Sequence, residues 1–162
     1  PNPNPNPNPN PSPNPNPSST FSIGVSPPGQ QAPRGNTDFP ALCDAVFALE
    51  RRLIEECGLE RQPSAMCAVN RNARFIPHVD AGSGGVGQGM SLIVGLGHYR
   101  GGDVVVEGVP HNVRYAPLEF NGWTQRHWTK PYAGERFSLV FFTPRGCEGC
   151  SWAPEPRHQA SA

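Results

Sequence analysis

The stretch FIPHVDAG, residues 75–82, places His78 and Asp80 two positions apart near the end of a predicted strand. Residues i and i+2 of an extended strand point to the same face, so the imidazole and the carboxylate are presented together. Such a pair is two thirds of a facial metal triad, which needs a second histidine from a distant strand and leaves further coordination positions open. These residues therefore predict a metal site on a β scaffold.

Two later motifs supply groups that complete such a site. His127, in QRHWT, lies in the second last predicted strand and is the best candidate for the second histidine. Arg136 opens the last predicted strand, ERFSLVFFT, and its planar fork can bind a carboxylate through two hydrogen bonds. Ser138, on the same strand face, can add a hydroxyl donor.

From residue 65 onward the chain alternates short segments rich in Val, Ile, Phe and Tyr with Gly, Asn and Pro. This pattern is typical of closely spaced antiparallel strands. We predict strands at residues 65–70, 74–78, 91–97, 103–107, 112–115, 117–120, 125–129 and 136–143. Short strands in this number after a single helix predict a mainly β jelly roll or barrel. The glycine-rich loop AGSGGVGQG precedes a strand and not a helix, which argues against a phosphate-binding loop.

One amphipathic helix precedes the strands, at residues 38–58. Thr37 or Asp38 is its candidate N-cap, and Gly58 can close its C-terminal end. Apolar side chains at helical spacing predict the face that packs on a sheet: Leu42, Val46, Leu49 and Leu53.

The first 17 residues read PNPNPNPNPNPSPNPNP. Proline removes backbone donors, asparagine favours turns, and no apolar surface offsets the entropy of ordering. We therefore predict a disordered Pro/Asn-rich tail and linker at residues 1–37, one domain at 38–146 and a C-terminal tail at 147–162.

Composition limits the partners. With 13 basic and 13 acidic residues the formal charge is zero, so the chain lacks the signature of a nucleic-acid or anionic-membrane binder. No apolar run approaches the ~20 residues that span a bilayer, and the N-terminal part does not resemble a signal peptide. An odd number of cysteines predicts a reducing, intracellular compartment. Cys147 and Cys150 form one CxxC without further ligands, which we interpret as two tail thiols.

Together, the order HxD, a histidine about fifty residues later, and RxS nine residues after that resembles the Fe(II)/2-oxoglutarate dioxygenase superfamily over residues 66–143. Within it, SLIVGLGHYRGGDVVVEG and HWTKPYAGERFSLVFFT are most similar to the branch that includes TET and base-J thymine hydroxylases and their protist and algal relatives. The resemblance implies a double-stranded β-helix.

The resemblance also implies cofactors and residue roles. The HxD motif and His127 would hold Fe(II), and Arg136 would pair with the far carboxylate of the co-substrate 2-oxoglutarate. Ser138 would add a hydroxyl donor beside Arg136, and Asn70 would donate a hydrogen bond to the keto acid or to the substrate. O2 is the oxidant, and ascorbate is a candidate reductant. The implied reaction hydroxylates a C–H bond of a methylated nucleobase or of a protein side chain such as proline.

Several alternatives stay open at this level. Collagen-type prolyl hydroxylases usually carry a lysine where Arg136 stands, so the Pro-rich tail argues only weakly for proline hydroxylation. TET enzymes have a cysteine-rich zinc-binding region and a long insert that this sequence lacks. The short N-terminal part also fits a catalytically inactive jelly-roll interaction module tethered by the tail. A last group of residues either lines a stacking pocket or packs in the core: Trp123, Trp128, Tyr99 and Tyr115. The oligomeric state is not predictable from these patterns.

Overall fold

The computed structural model describes residues 17–83 and 85–153. Two α-helices, α1 (Gly35–Asp38) and α2 (Pro40–Glu56), lie between the first and second strands. In chain order the strands are β1 (Ser19–Gly24), β2 (Met66–Arg71), β3 (Ser91–Leu96), β4 (Tyr99–Gly101), β5 (Val104–Val106), β6 (Val109–His111), β7 (Leu118–Phe120), β8 (His127–Thr129), β9 (Tyr132–Gly134) and β10 (Phe137–Phe142). The prediction of a mainly β fold is confirmed. Within the described ranges, neither helix has the length and apolar character needed to cross a membrane.

A large antiparallel sheet has the order β1-β2-β10-β3-β7, and two smaller sheets have the orders β6-β5-β8 and β4-β9. Side chains alternate between the two faces of each strand. One face of the large sheet forms the main core with α2, through Cys67, Val69, Leu139 and Phe141 of the sheet and Val46 and Phe47 of the helix. The opposite face lines a cavity, through Ala68, Asn70, Ser138 and Val140. Val104 and Thr129 of the β6-β5-β8 sheet line the same cavity, as expected for a jelly roll.

Helix α2 forms where it was predicted, but it presents a different stripe to the sheet. Its fully buried residues are Cys43, Val46, Phe47 and Glu50. Leu42 is exposed, while Leu49 and Leu53 are only partly buried at the edge of the core. The prediction that Leu42 faces the sheet is therefore wrong, because the helix face turned to the core is centred on Cys43, Val46 and Phe47 and leaves Leu42 at its edge.

The ends of α2 differ in how well they were predicted. Thr37 and Asp38 belong to α1, and neither caps α2, because the residue before the helix is Phe39. Phe39 is held outside helical geometry since Pro40 disfavours a helical conformation in the residue before it. At the other end Gly58 has φ 61°, and the Leu59 amide donates to the Ile54 carbonyl at 2.9 Å. The predicted glycine-terminated helix end is confirmed.

The predicted domain boundary at residue 38 is wrong, because part of the predicted linker is a strand. β1 pairs with β2 from Ser19↔Arg71 to Gly24↔Met66. Ile23 is fully buried, and Phe21 packs against the same core. Burial of these alternating apolar side chains offsets the entropy of ordering the segment. Residues 1–16 of the predicted tail lie outside the described residues.

The beginning of the predicted C-terminal tail also packs on the domain. Trp152 stacks on Phe47 with ring centroids 5.8 Å apart, and its Nε1 donates to Asp44 at 2.9 Å. Cys147 is buried, and its thiol donates to the Val25 carbonyl at 3.6 Å. The interpretation of Cys147 as a tail thiol is therefore wrong, although the thiol is free. Residues 154–162 lie outside the described part of the chain.

Two of the predicted strands do not form at the predicted residues. Residues 74–78 form no strand, only an isolated bridge between His78 and His127. The strand predicted at residues 112–115 lies earlier, at β6, and leaves one bridge between Arg114 and Gly95. Prediction also missed β4 and β9, because each is three residues long and ends in a glycine that resembles a turn.

Candidate metal centre

Backbone pairing places the two predicted histidines side by side. The His78 amide donates to the His127 carbonyl at 3.1 Å, and the His127 amide donates to the His78 carbonyl at 2.9 Å. The ring centroids are 4.3 Å apart. Residues about fifty positions apart are thus held in one short antiparallel bridge, which fixes the direction of both side chains from the backbone.

Asp80 completes the group from the start of a 3₁₀ turn at Asp80–Ser83. Its amide donates to the Gly122 carbonyl at 2.9 Å, which ties the turn to the loop before β8. Asp80 Oδ1 lies 3.5 Å from His78 Nε2 and 3.7 Å from His127 Nε2. One ligand atom from each of the three residues lies within 4.8 Å of the other two. The structure therefore brings the predicted triad together.

Hydrogen bonds to the backbone fix the tautomers of both histidines. Nδ1 of His78 lies 2.8 Å from the Ile76 carbonyl, and Nδ1 of His127 lies 2.9 Å from the Gln125 carbonyl. A carbonyl can only accept, so each Nδ1 carries the proton. Each Nε2 is then the ring nitrogen left to bind a metal, and it lies on the side of Asp80. Metal-binding imidazoles are commonly oriented in this way, by a hydrogen bond from their other nitrogen.

The two imidazoles have opposite pKa shifts. The hydrogen bond to Asp80 raises the pKa of His78 above its ordinary value. Burial lowers the pKa of His127. Burial therefore favours a neutral His127 with a lone pair on Nε2, whereas the Asp80 carboxylate favours a second proton on His78, at Nε2, which a bound metal ion would replace.

Gln88 is a functional candidate that sequence reasoning missed. Its amide nitrogen donates to Asp80 Oδ2 at 2.9 Å and lies 3.1 Å from the hydroxyl oxygen of the buried Ser91. These contacts hold one carboxylate oxygen, while the other faces the histidines. Gly122 packs closely on Asp80 Oδ2, since a Cβ added at this glycine would lie 2.6 Å from that oxygen. No motif marks a glutamine in a glycine-rich loop, so only the folded structure identifies this contact.

A cavity of about 420 Å³ opens beside the triad. His78, Asp80 and His127 line it, together with Asn70 and Ser138 of the large sheet. The Asn70 amide nitrogen lies 3.3 Å from Ser138 Oγ, and no described residue forms a hydrogen bond with its buried Oδ1. Trp123 and Trp128 also line the cavity, which favours the pocket interpretation for these two residues.

Arg136 lies beyond the cavity lining, two residues before Ser138 on the same side of the chain. It is 1 % exposed, and its Cζ lies 5.5 Å from the Tyr99 ring centroid and 5.6 Å from that of Tyr132. Among the described residues no well-aligned hydrogen bond reaches its Nε or Nη2, and the hydroxyls of Tyr99 and Tyr132 are the polar groups that interact with the guanidinium. Burial lowers the pKa of Arg136. Tyr115, by contrast, is 59 % exposed and outside this cluster.

Among known proteins, similarity to this chain is found with solved structures. No family model and no curated protein matches the chain. NgTET1 in complex with 5mC DNA is similar with a TM-score of 0.64 and 15 % identity, over 81 % of this chain and 62 % of that one. An oxidoreductase of the 2OG-Fe(II) oxygenase family from Burkholderia pseudomallei is similar with a TM-score of 0.50 and 25 % identity, over 77 % and 67 % of the respective chains.

The chain has a 2OG-Fe(II) oxygenase-like fold. The resemblance noted in the sequence and the expected jelly-roll architecture are confirmed at this level. The oxygenase-like domain spans less than two thirds of the NgTET1 chain. The structure holds the His78, Asp80 and His127 cluster, which corresponds in composition to a 2-His-1-carboxylate triad.

The donor set of this oxygenase fold suits Fe(II). Two imidazole nitrogens and one carboxylate oxygen favour a borderline metal and argue against soft thiolate chemistry. Metal–ligand bonds of ~2.1 Å in an octahedral site separate neighbouring donors by about 3 Å. The 3.5 and 3.7 Å separations between Asp80 Oδ1 and the two Nε2 atoms exceed this by about 0.5 and 0.7 Å, so these donors would have to move slightly closer to share an ion.

Proposed function

We propose that this chain is an Fe(II)- and 2-oxoglutarate-dependent dioxygenase that hydroxylates a substrate C–H bond. The observation that carries the proposal is the convergence of His78, Asp80 and His127 on one wall of a cavity, with both Nδ1 atoms held by backbone carbonyls and both Nε2 atoms facing the carboxylate. Bound there, Fe(II) would supply the activation of O2 that couples conversion of 2-oxoglutarate to succinate and CO2 with oxidation of the substrate.

Arg136 supports a dicarboxylate co-substrate. A buried guanidinium with two nitrogens lacking partners is costly unless an anion pairs with it. The far carboxylate of 2-oxoglutarate would satisfy those nitrogens, and the Tyr99 hydroxyl beside them can add a third hydrogen bond. Ser138, two residues after Arg136, and Asn70 line the cavity together with the triad, so we infer that the keto acid extends along this side of the large sheet.

The chain's own residues then have distinct tasks. The triad holds the metal, and Gln88 fixes the Asp80 carboxylate that faces it. The apolar residues of the cavity exclude water from the reacting groups, which strengthens the electrostatic interactions there. Val104 and Val140, from the two sheets, belong to this lining.

Substrate choice is a finer proposal. A methylated nucleobase is favoured by the similarity to NgTET1, whose structure contains 5mC DNA. A protein side chain, such as proline, is the other candidate class. Offering a 5-methylcytosine oligonucleotide and a Pro-rich peptide to the Fe(II)-loaded chain separates the two, because the true substrate should accelerate succinate formation and gain one oxygen atom.

The activity itself is tested by incubating the full chain with Fe(II), 2-oxoglutarate and O2 and measuring succinate. We expect succinate from the native chain and none above background from His127→Ala. His98→Ala is the matched control, since His98 is exposed and outside the triad, and it should retain native turnover. Absence of succinate from the native chain, together with absence of metal binding, would instead identify an inactive jelly-roll interaction module.

A further inference from the structure

The CxxC motif at residues 147–150 folds as a tight turn shortly after β10. The Cys150 amide donates to the Cys147 carbonyl at 2.9 Å, and Gly149 has φ 83°. A left-handed third residue is typical of a type II turn, whose first and fourth Cα atoms lie within about 7 Å of each other. Disulfides usually join Cα atoms that are about 4.4 to 6.8 Å apart. The backbone of the turn therefore brings the two cysteines within the range of a disulfide.

The two thiols of the motif also interact with each other. Burial raises the pKa of the Cys147 thiol, and the interaction with the Cys150 thiol raises it further. Cys147 is fully buried, whereas Cys150 is partly exposed, so a reagent in solvent reaches Cys150 first. The motif thus has one accessible sulfur atom with a buried thiol beside it.

Contacts on both sides hold this turn in place on the domain. Before the motif, the Arg145 amide donates to the Gly87 carbonyl at 2.9 Å. After it, Trp152 stacks on Phe47, and its Nε1 donates to Asp44 at 2.9 Å. Because the segment is already ordered at both ends, the two cysteines lose little further conformational freedom when a bond joins them.

The described residues around the motif supply no further metal ligands. A structural zinc ion is almost always held by four side chains. Within residues 17–83 and 85–153, the single cluster of three or more side chains able to hold a metal is that of His78, Asp80 and His127. A CxxC pair with no other ligands is the arrangement used for thiol–disulfide exchange, in which the dithiol and the disulfide interconvert.

We propose that Cys147 and Cys150 form a reversible disulfide by exchange with low-molecular-weight disulfides such as oxidised glutathione. The Cys150 thiolate attacks one sulfur atom of the small disulfide, which forms a mixed disulfide and releases one small thiol. The Cys147 thiolate then attacks the Cys150 sulfur and releases the second small thiol. The protein loses two electrons and two protons, and the two released thiols gain them. This exchange depends neither on a bound metal nor on the proposed oxygenase activity.

The test uses the full chain with Cys57→Ser, which removes the exposed cysteine outside the motif. The folded chain is equilibrated with reduced and oxidised glutathione and quenched in acid. Intact mass and the mass of the tryptic peptide 146–157, which contains both cysteines, then report the state of the motif. Cys147→Ser and Cys150→Ser in the same background are a matched pair, since each keeps one thiol of the motif, and melting temperatures check that both variants fold.

We expect the chain with both cysteines to lose the mass of two hydrogen atoms in this peptide and to carry no lasting glutathione adduct. Cys147→Ser should instead accumulate one glutathione on Cys150, and Cys150→Ser should acquire none, because Cys147 is buried. The disulfide fraction should also be higher in the folded chain than in the same chain unfolded in urea, since the turn holds the two thiols together.

Three results would overturn the proposal. One is a dithiol that persists at every ratio of oxidised to reduced glutathione. Another is a stable glutathione adduct on Cys150 in the chain that has both cysteines. The third is a disulfide fraction that is no higher in the folded chain than in urea, and this comparison needs neither serine variant of the motif.

Discussion

Replacing Gly122 with alanine should weaken metal binding without unfolding the domain. A Cβ at this position would lie 2.6 Å from Asp80 Oδ2 and 2.9 Å from Ser91 Oγ, where ordinary contacts begin near 3.4 Å. Ser91 is buried in β3 and cannot move easily. The carboxylate of Asp80 therefore has to move by several tenths of an ångström, and its hydrogen bond from Gln88 has to lengthen.

The size of the effect follows from the role of Asp80 as one of three ligands. Changes to groups that orient metal ligands typically reduce metal affinity by about 10- to 100-fold. This range corresponds to about 1.4 to 2.8 kcal/mol of binding free energy. The variant keeps Asp80 itself, so the loss should stay smaller than that of a variant without the carboxylate.

Calorimetric titration of the native chain and Gly122→Ala with Mn(II) measures this loss. Gly89→Ala is the matched control, because Gly89 lies in the same region, has no left-handed φ, and has nothing within 4 Å of an added Cβ. The control should bind Mn(II) as the native chain does. Native Mn(II) affinity in Gly122→Ala, with an unchanged melting temperature, would contradict the role of Asp80 as a metal ligand.

Three further predictions concern other buried groups. Arg136→Gln should weaken 2-oxoglutarate binding to the Mn(II)-loaded chain by roughly 10- to 100-fold, since a charge-assisted hydrogen bond contributes about 1.5–3 kcal/mol, and unchanged affinity would contradict the assigned role. Burial raises the pKa of Glu50 in the folded state above its ordinary value of 4.5. Protonation of Glu50 therefore adds most to the free energy of unfolding below pH 4.5, and this contribution is lost as the pH rises through the folded-state pKa. Urea unfolding of Glu50→Gln should therefore show a smaller fall in stability with rising pH than the native chain, and an equal fall would count against burial as the cause. Iodoacetamide should modify the exposed Cys57 in the native state and Cys67, whose pKa burial raises, only after unfolding, as peptide mass mapping can check.

The candidate site could be predicted because short, local motifs contain the residue types that its chemistry needs. HxD and RxS specify residue types two positions apart in sequence, and His127 lies in a clear strand pattern, although His78 and Asp80 are held by an isolated bridge and a 3₁₀ turn and not by the predicted strand. The helix α2 was predictable for a similar reason, since its period and its terminal Gly58 are local signals. The roles of these residues as ligands and co-substrate contacts stay predictions until binding is measured.

What could not be predicted depends on contacts distant in sequence. β1 lies in a region rich in Ser, Pro and Gly, and only pairing with β2 shows that Phe21 and Ile23 belong to the core. Trp152 is distant in sequence from Phe47, on which it stacks, and nothing local indicates that contact. Gln88 acquires its function only when folding places it beside Asp80.

The central claim is that three side chains share one cation and that Arg136 pairs with the co-substrate. A crystal structure of the full chain, grown without O2 in the presence of Mn(II) and 2-oxoglutarate, tests it most directly. We expect one ion ~2 Å from His78 Nε2, His127 Nε2 and an Asp80 oxygen, and a carboxylate of the keto acid on the Arg136 guanidinium. An ion held without His127, or a keto acid bound away from Arg136, would contradict it.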